Sequence, residues 1–595
     1  MKKKAFLILV SLLLLGAVAL SGCGGNTSEP APQTTTPPAG GNTDTGTQVT
    51  GTDKQGDTAE KPTLGFIPAK DPTAVPAAAK ARTDTIIIGM NATEGVFNPL
   101  YGSSQYDVYV MDTLFQFLVK PDKDATLIPD LAKWDVSADG KTYTFHIDPN
   151  ATFSDGTPVT AEDLAFSYYI IGDPTFDGVA DLTTAGIVGY DEYKNDKAGK
   201  VTTISGVKVV DEKTLEVTVK EPKGTTLFEI NVPALSKKYY GKGFKKGDLS
   251  GITALHQKPM GSGPYVLKKY TPGQEVVMEA NPNFWEGAPK VKNIIFKATT
   301  EETNIQLLQN GETDFEEGIS VNKDNMELLD TIPFLNRSLL LNNGYGYIGM
   351  NHKLDKFKDK RVRKALAYGL NREEAVFAYS QGFANVIDVP ESKVSWAYPD
   401  EKDIIHYNYD PEKAKQLLDE AGWKVGDDGF RYKDGQKFTI TFTATTPNPV
   451  NEALVPIMKE NYKELGIDLV VEQLDFNAVT NKVDKGDIEM YFLAWGLTVD
   501  PDNYSVFHSK GTQNTLGYSN PEVDRLIIEG QKALKQEDRK KIYQELYKVL
   551  NDDLPYIFLY QRYNMNTFNA RLTGFDISPY KDFSRSLHQV TIQNQ

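Results

Sequence analysis

The chain has almost no cysteine. Cys23 is the single thiol in 595 residues, so no intramolecular disulfide can form and stability must come from packing. Histidine is scarce too: the six, at 146, 256, 352, 406, 508 and 588, show no H-E-x-x-H spacing and no neighbouring cysteine, so no metal site is expected. No G-x-S-x-G elbow occurs, because Ser262 sits in Gly261-Ser262-Gly263-Pro264, a turn leading into a strand. Carboxylates abound, but in an acidic chain their number marks no catalytic pair. An enzyme is therefore not expected and no cofactor is implied; a hydrolase is the alternative that a lytic assay would expose. Basic residues are outnumbered, 64 Lys and Arg against 80 Asp and Glu, and a formal charge of −16 with a pI near 5.1 argues against nucleic acid as a partner. Past the N-terminus no apolar run approaches a membrane span, and mean hydropathy is −0.40. Hydrophobic residues (40%) and aromatics (11%, with 30 tyrosines) are ample for several cores, and the length suggests two to four structural units.

The N-terminus carries Lys2, Lys3 and Lys4, an apolar run from Ala5 to about Leu20, and then Leu20-Ser21-Gly22-Cys23. That order is a secretory signal (1–22) closed by a lipobox, with Cys23 as the lipidated first residue of the mature chain and an extracellular or periplasmic membrane anchor as the consequence. Residues 23–83 are rich in Gly, Thr, Pro, Asp and Gln and read as a disordered tether. Some 60 flexible residues would reach on the order of 40 Å.

A mixed α/β pattern follows. Thr85 to Gly89 reads as a buried strand, and Trp134 to Val136 with Tyr143, Phe145 and Ile147 as a hairpin about Asp139-Gly140. Val207 to Val210 with Leu215, Val217 and Val219 is a second. Thr160 and Asp163 form a helix-start box; Asp410-Pro411 and Asn520-Pro521 start later helices; Gly311 ends one. Gly344-Tyr345-Gly346-Tyr347-Ile348-Gly349 fits G-x-G-x-x-G, but no helix begins until about Asp359, so dinucleotide binding is rejected.

Phe153 to Asp163 (FSDGTPVTAED), Gly261 to Tyr265 (GSGPY), Asn281 to Trp285 (NPNFW), Asp359 to Leu370 (DKRVRKALAYGL), Ala414 to Trp423 (AKQLLDEAGW) and Asp500 to Asn503 (DPDN) stand in series. This series resembles the family-5 extracellular solute-binding proteins of bacterial ABC importers, from residue 84 onward. The resemblance implies an α/β, two-lobed, hinged fold like the type II periplasmic binding proteins, with a small domain inserted in the first lobe. Transferred here, lobe I is 84–119, 240–348 and 554–595, the insert 120–239, and lobe II 349–553.

The function so implied is capture of oligopeptides between closing lobes by a monomeric lipoprotein that delivers them to permease and ATPase subunits. An oligosaccharide or metal chelate as ligand, and a peptide-sensing lipoprotein, are the alternatives. Met490 to Gly496 reads as a strand ending in a loop, and relatives line their cleft at this strand end. Trp495, Gly496, Leu497 and Tyr491 are therefore candidate ligand contacts, with a core aromatic as the other reading of Trp495. Tyr345, Tyr347 and Asn351 could face the ligand from the neighbouring strand, and Ser103, Ser104 and Gln105 could offer backbone groups across the cleft. Two charged clamps of some peptide-binding relatives are missing, since their positions hold Thr498 and Phe492. Asp500 is the candidate replacement for the amine-binding carboxylate, against a turn or helix cap as its simpler role.

Overall fold

The computed structural model describes residues 63–593, so the expected signal peptide, Cys23 and most of the expected tether lie outside the described residues. Two sheets organise the chain. In the first, Thr85–Met90 runs parallel to Asn293–Ala298 and Phe315–Glu316, and the antiparallel strands Glu275–Ala280 and Tyr265–Thr271 extend it. In the second, Thr439–Thr445 is parallel to Asp468–Leu474 and Met490–Gly496, and Gly344–Met350 is antiparallel to the latter. Each sheet has its own core, one around Ile86, Ile88 and Phe296, the other around Ile348, Phe442 and Ile557.

One long strand, Tyr556–Asn569, belongs to both sheets. Its first half pairs with Gly344–Met350 and its second half with Leu335–Leu341. The chain therefore passes between lobes twice, side by side, at 342–343 and 561–562. There the Asn342 N–H donates to the Arg562 carbonyl (3.0 Å) and the Gln561 amide to the Asn342 carbonyl (2.7 Å). This shifts the expected lobe boundaries at 348/349 and 553/554, because the whole of Gly344–Met350 and the start of Tyr556–Asn569 pair within the second sheet.

A separate four-stranded antiparallel sheet, Ala132–Val136, Thr142–Ile147, Thr214–Thr218 and Val207–Asp211, contains both hairpins expected from the alternation, with Trp134 opposite Phe145. Its core is continuous with that of the first lobe. The helix Ala161–Ile171 starts where expected: the Asp163 carboxylate accepts from the Thr160 N–H (2.9 Å) and hydroxyl (2.6 Å). Asp410 caps Pro411–Glu420 by accepting from the Lys413 N–H, and Gly311, at φ +70°, closes Asn304–Asn310 with the left-handed turn that glycine adopts without a Cβ penalty.

Residues 63–83, expected as the last part of the tether, are ordered. Gly65–Ile67 pairs with Leu339, Ser338 and Arg337, the Asp71 N–H donates to the Pro333 carbonyl, and Val75 and Ala79 are buried against Ile305, Leu308 and Phe334. Arg82 reaches Asp314 (2.9 Å), which Arg571 also holds (2.8 Å). A short run with few apolar residues does not announce itself locally; it is ordered by partners far along the chain.

Candidate ligand-binding site

Hydrogen bonds at both ends of one strand pair fix where every backbone group of Met490–Gly496 points. The Leu497 N–H donates to the Asn343 carbonyl and the Asn351 N–H to the Glu489 carbonyl, each at 2.9 Å. In an antiparallel ladder bonded residues alternate, so Tyr491, Leu493 and Trp495 bond toward Gly344–Met350, and Phe492, Ala494 and Gly496 bond outward. On that outer side the pairing with Thr439–Thr445 ends at Tyr491. The N–H and C=O groups of Ala494 and Gly496 have no backbone partner among the described residues and form a free strand edge. No described atom outside its chain neighbours lies within 4 Å of where a Cβ would stand on Gly496.

A cavity of about 550 Å³ wraps this edge. On one face of the sheet stand Tyr347, Tyr491, Trp495 and Tyr556. The Tyr347 ring lies parallel to Trp495 (centroids 6.1 Å apart, 4°) and to Tyr556 (4.3 Å, 20°). On the other face Phe492 stacks on Tyr560 (6.1 Å, 23°), and Tyr560 packs on Tyr379 (5.4 Å). Phe476, Asp484 and Arg562 also line it. Burial pushes the phenols of Tyr347, Tyr491 and Tyr556 far above their ordinary range, so they are neutral at any physiological pH. The Trp495 indole N–H is buried with no hydrogen-bond partner among the described residues, a donor left for something else to satisfy.

The sequence-predicted residues separate into three groups. Tyr347, Tyr491 and Trp495 meet at the cavity, and Gly496 lies at the end of its free edge. Leu497 holds the strand end through Asn343, whose amide also donates to the Leu497 and Thr498 carbonyls (3.0 and 3.2 Å). Tyr345 is buried behind the wall against Phe558 and is absent from the lining. Asn351 lies at the far end of its strand, where its amide donates to the Gly486 and Ile488 carbonyls (3.2 and 2.7 Å), a structural clamp. Ser103, Ser104 and Gln105 open the helix Gln105–Leu114 in the first lobe, with the Gln105 amide on Asp582, and none of them lines this cavity.

Asp500 is a correction. Its two carboxylate oxygens accept from Arg539 at 2.6 and 2.7 Å, both side chains are buried, and Asp500 also accepts from the Asp502 N–H. An amine would have to displace a bidentate guanidinium. Asp500 therefore anchors the loop, which matches the simpler role. The sequence reading missed Tyr379, Phe476, Tyr556, Tyr560 and Arg562, which lie far from the strand in sequence. Alternation in Tyr556–Asn569 would have flagged Tyr560 and Arg562 as sharing a face, but nothing local says which face.

Among the described residues no group of three or more His, Cys, Asp or Glu stands ready for a metal ion, and no helix is long and apolar enough to cross a membrane.

The sequence profile of the bacterial extracellular solute-binding proteins, family 5 (middle portion), matches residues 126–516. The chain is 29% identical over 510 residues to the oligopeptide-binding protein AppA of Bacillus subtilis, covering 84% of this chain and 90% of that protein. It is 26% identical over 501 residues to heme-binding protein A of Haemophilus influenzae, covering 81% and 86%. The solved structure of the Bacillus subtilis AppA in complex with a nonapeptide superposes with a TM-score of 0.69 at 26% identity, covering 86% of this chain and 99% of that one. The chain belongs to the bacterial extracellular solute-binding proteins of family 5 and has their two-lobed α/β fold.

Proposed function

We propose that this protein is the substrate-binding lipoprotein of an ABC importer, anchored to the membrane through Cys23, and that it captures oligopeptides for delivery to permease and ATPase subunits. The observation that carries the peptide reading is the free edge at Ala494 and Gly496 with aromatic walls on both faces of its sheet. An extended peptide adds to such an edge as a further strand about 4.8 Å away, and its side chains then alternate between the two faces. Backbone pairing gives affinity without regard to sequence, and tyrosine and tryptophan walls accept varied side chains. The likeness to a relative solved with a nonapeptide supports the same reading. Paired crossings at 342–343 and 561–562 supply a two-stranded hinge about which the lobes close, and a ligand that touches both lobes favours the closed state.

Native mass spectrometry of the gently purified full-length chain tests this. A ladder of copurifying peptides is expected; a single sugar, heme or metal chelate in their place would overturn the peptide reading.

A further inference from the structure

We propose that Arg562 forms a carboxylate-binding subsite of the aromatic cavity, so that the captured peptide presents a carboxylate to its guanidinium from its C-terminus or from an acidic side chain. The inference rests on the peptide reading above and adds to it a specificity-determining residue.

Arg562 follows Tyr560 by two residues in a regular stretch of strand, where Val386 lies opposite Tyr560 and Ala384 opposite Arg562. Its side chain therefore leaves the sheet on the face that carries Tyr560 and Phe492, and Arg562 lines the cavity with them. It is exposed. Every other described arginine has a carboxylate within 3.4 Å: Arg82, Arg337, Arg361, Arg363, Arg372, Arg431, Arg525, Arg539, Arg571 and Arg585 are all paired. Arg562 has no ion pair among the described residues. Glu317 in the first lobe feels its charge but accepts a hydrogen bond from the Tyr109 hydroxyl (3.0 Å), and the carboxylate of Asp484 lines the same cavity without pairing with it.

The base of the side chain is held, since the Arg562 carbonyl accepts from the Asn342 N–H at the lobe crossing. A planar guanidinium with fixed root, aromatic neighbours and no internal partner is matched to a carboxylate, which it grips through two parallel N–H···O bonds. Arg562 lies where the lobes join, and its charge also reaches the first-lobe groups Tyr106 and Glu317.

Three random nonapeptide libraries titrated into the purified full-length chain by calorimetry test this: free C-terminal acids, the same sequences as C-terminal amides, and amides lacking Asp and Glu. The wild type is expected to bind at least one carboxylate-bearing library tenfold or more tighter than the carboxylate-free one. The free-acid arm identifies the terminus as the source, and the amide arm with Asp and Glu identifies a side chain. Arg562→Gln should shrink the gap to less than threefold, and Arg562→Lys should restore part of it. Equal affinity of the wild type for all three libraries, or a tenfold gap that persists in Arg562→Gln, would overturn the subsite while leaving peptide capture standing. Failure to bind any library would overturn peptide capture itself and the subsite with it.

Discussion

Replacing Ala494 with proline should cripple peptide capture while sparing the fold. The Ala494 N–H points to the unpaired side of Met490–Gly496, so its loss removes no ladder bond within the protein. Proline is tolerated on such an edge, and the residue is exposed at the point of substitution. In the complex, however, a peptide carbonyl facing position 494 would lose its donor in a partly dry groove. A partner stranded in this way costs about 1–3 kcal/mol. At 1.4 kcal/mol per decade, Kd rises roughly 5- to 150-fold. The unliganded melting midpoint should move by no more than about 4 °C, equivalent to about 1 kcal/mol in a lobe of this size. Calorimetry with one nonapeptide, run beside Ala494→Gly as a control that keeps the N–H, separates backbone from side chain. Wild-type affinity in Ala494→Pro, or an equal loss in Ala494→Gly, would refute the edge-pairing argument.

Other expectations follow from the same structure. Asp500→Ala strands the Arg539 guanidinium in the interior, so the unliganded protein should lose about 3–5 kcal/mol in urea unfolding; unchanged unfolding with lost binding would instead return Asp500 to the ligand site. Trp495→Ala should weaken nonapeptide binding tenfold or more, whereas unliganded stability falls by only about 1 kcal/mol from the lost contact with Tyr347. A large fall in the unliganded melting midpoint would show Trp495 to be core. Burial pushes the carboxyls of Glu316 and Glu391 up to about 7, above their ordinary 4.5. The folded state then binds more protons than the unfolded one between these values, so stability should decline as pH rises from about 4.5 through about 7. Glu316→Gln should flatten that slope in urea midpoints measured at pH 5 and pH 8, and an unchanged slope in both this variant and Glu391→Gln would contradict the assignment.

Much of the fold was legible because its signals are local. Thr160 and Asp163, Asp410-Pro411, Asn520-Pro521 and Gly311 mark helix ends through bonds made within a few residues, and both hairpins of the four-stranded sheet follow from alternation over five or six positions. The order of 63–83 was not legible, because Gly65–Ile67 owes its place to a strand some 270 residues onward. Tyr556–Asn569 reads locally as one strand, and only its partners reveal that it serves two sheets.

The site divides the same way. Trp495 and Tyr491 stood out as aromatics on a strand that ends in a loop, and the structure brings them to the cavity with Tyr347. Asp500 misled because an acidic loop residue past a strand looks the same whether its carboxylate faces a ligand or an arginine 39 residues later. Arg562 and the free edge were invisible for the opposite reason: one is defined by a partner it lacks, the other by where a neighbouring strand stops.

On the proposed function, a bound peptide completes the strand edge at Ala494 and Gly496. Amide hydrogen exchange resolved across 490–497, with and without a saturating nonapeptide, tests it directly. The Ala494 and Gly496 amides should exchange rapidly in the free protein and slow markedly when peptide is bound, while Leu493 and Trp495, already paired, stay protected in both states. Peptide binding that leaves the Ala494 and Gly496 rates unchanged would contradict it.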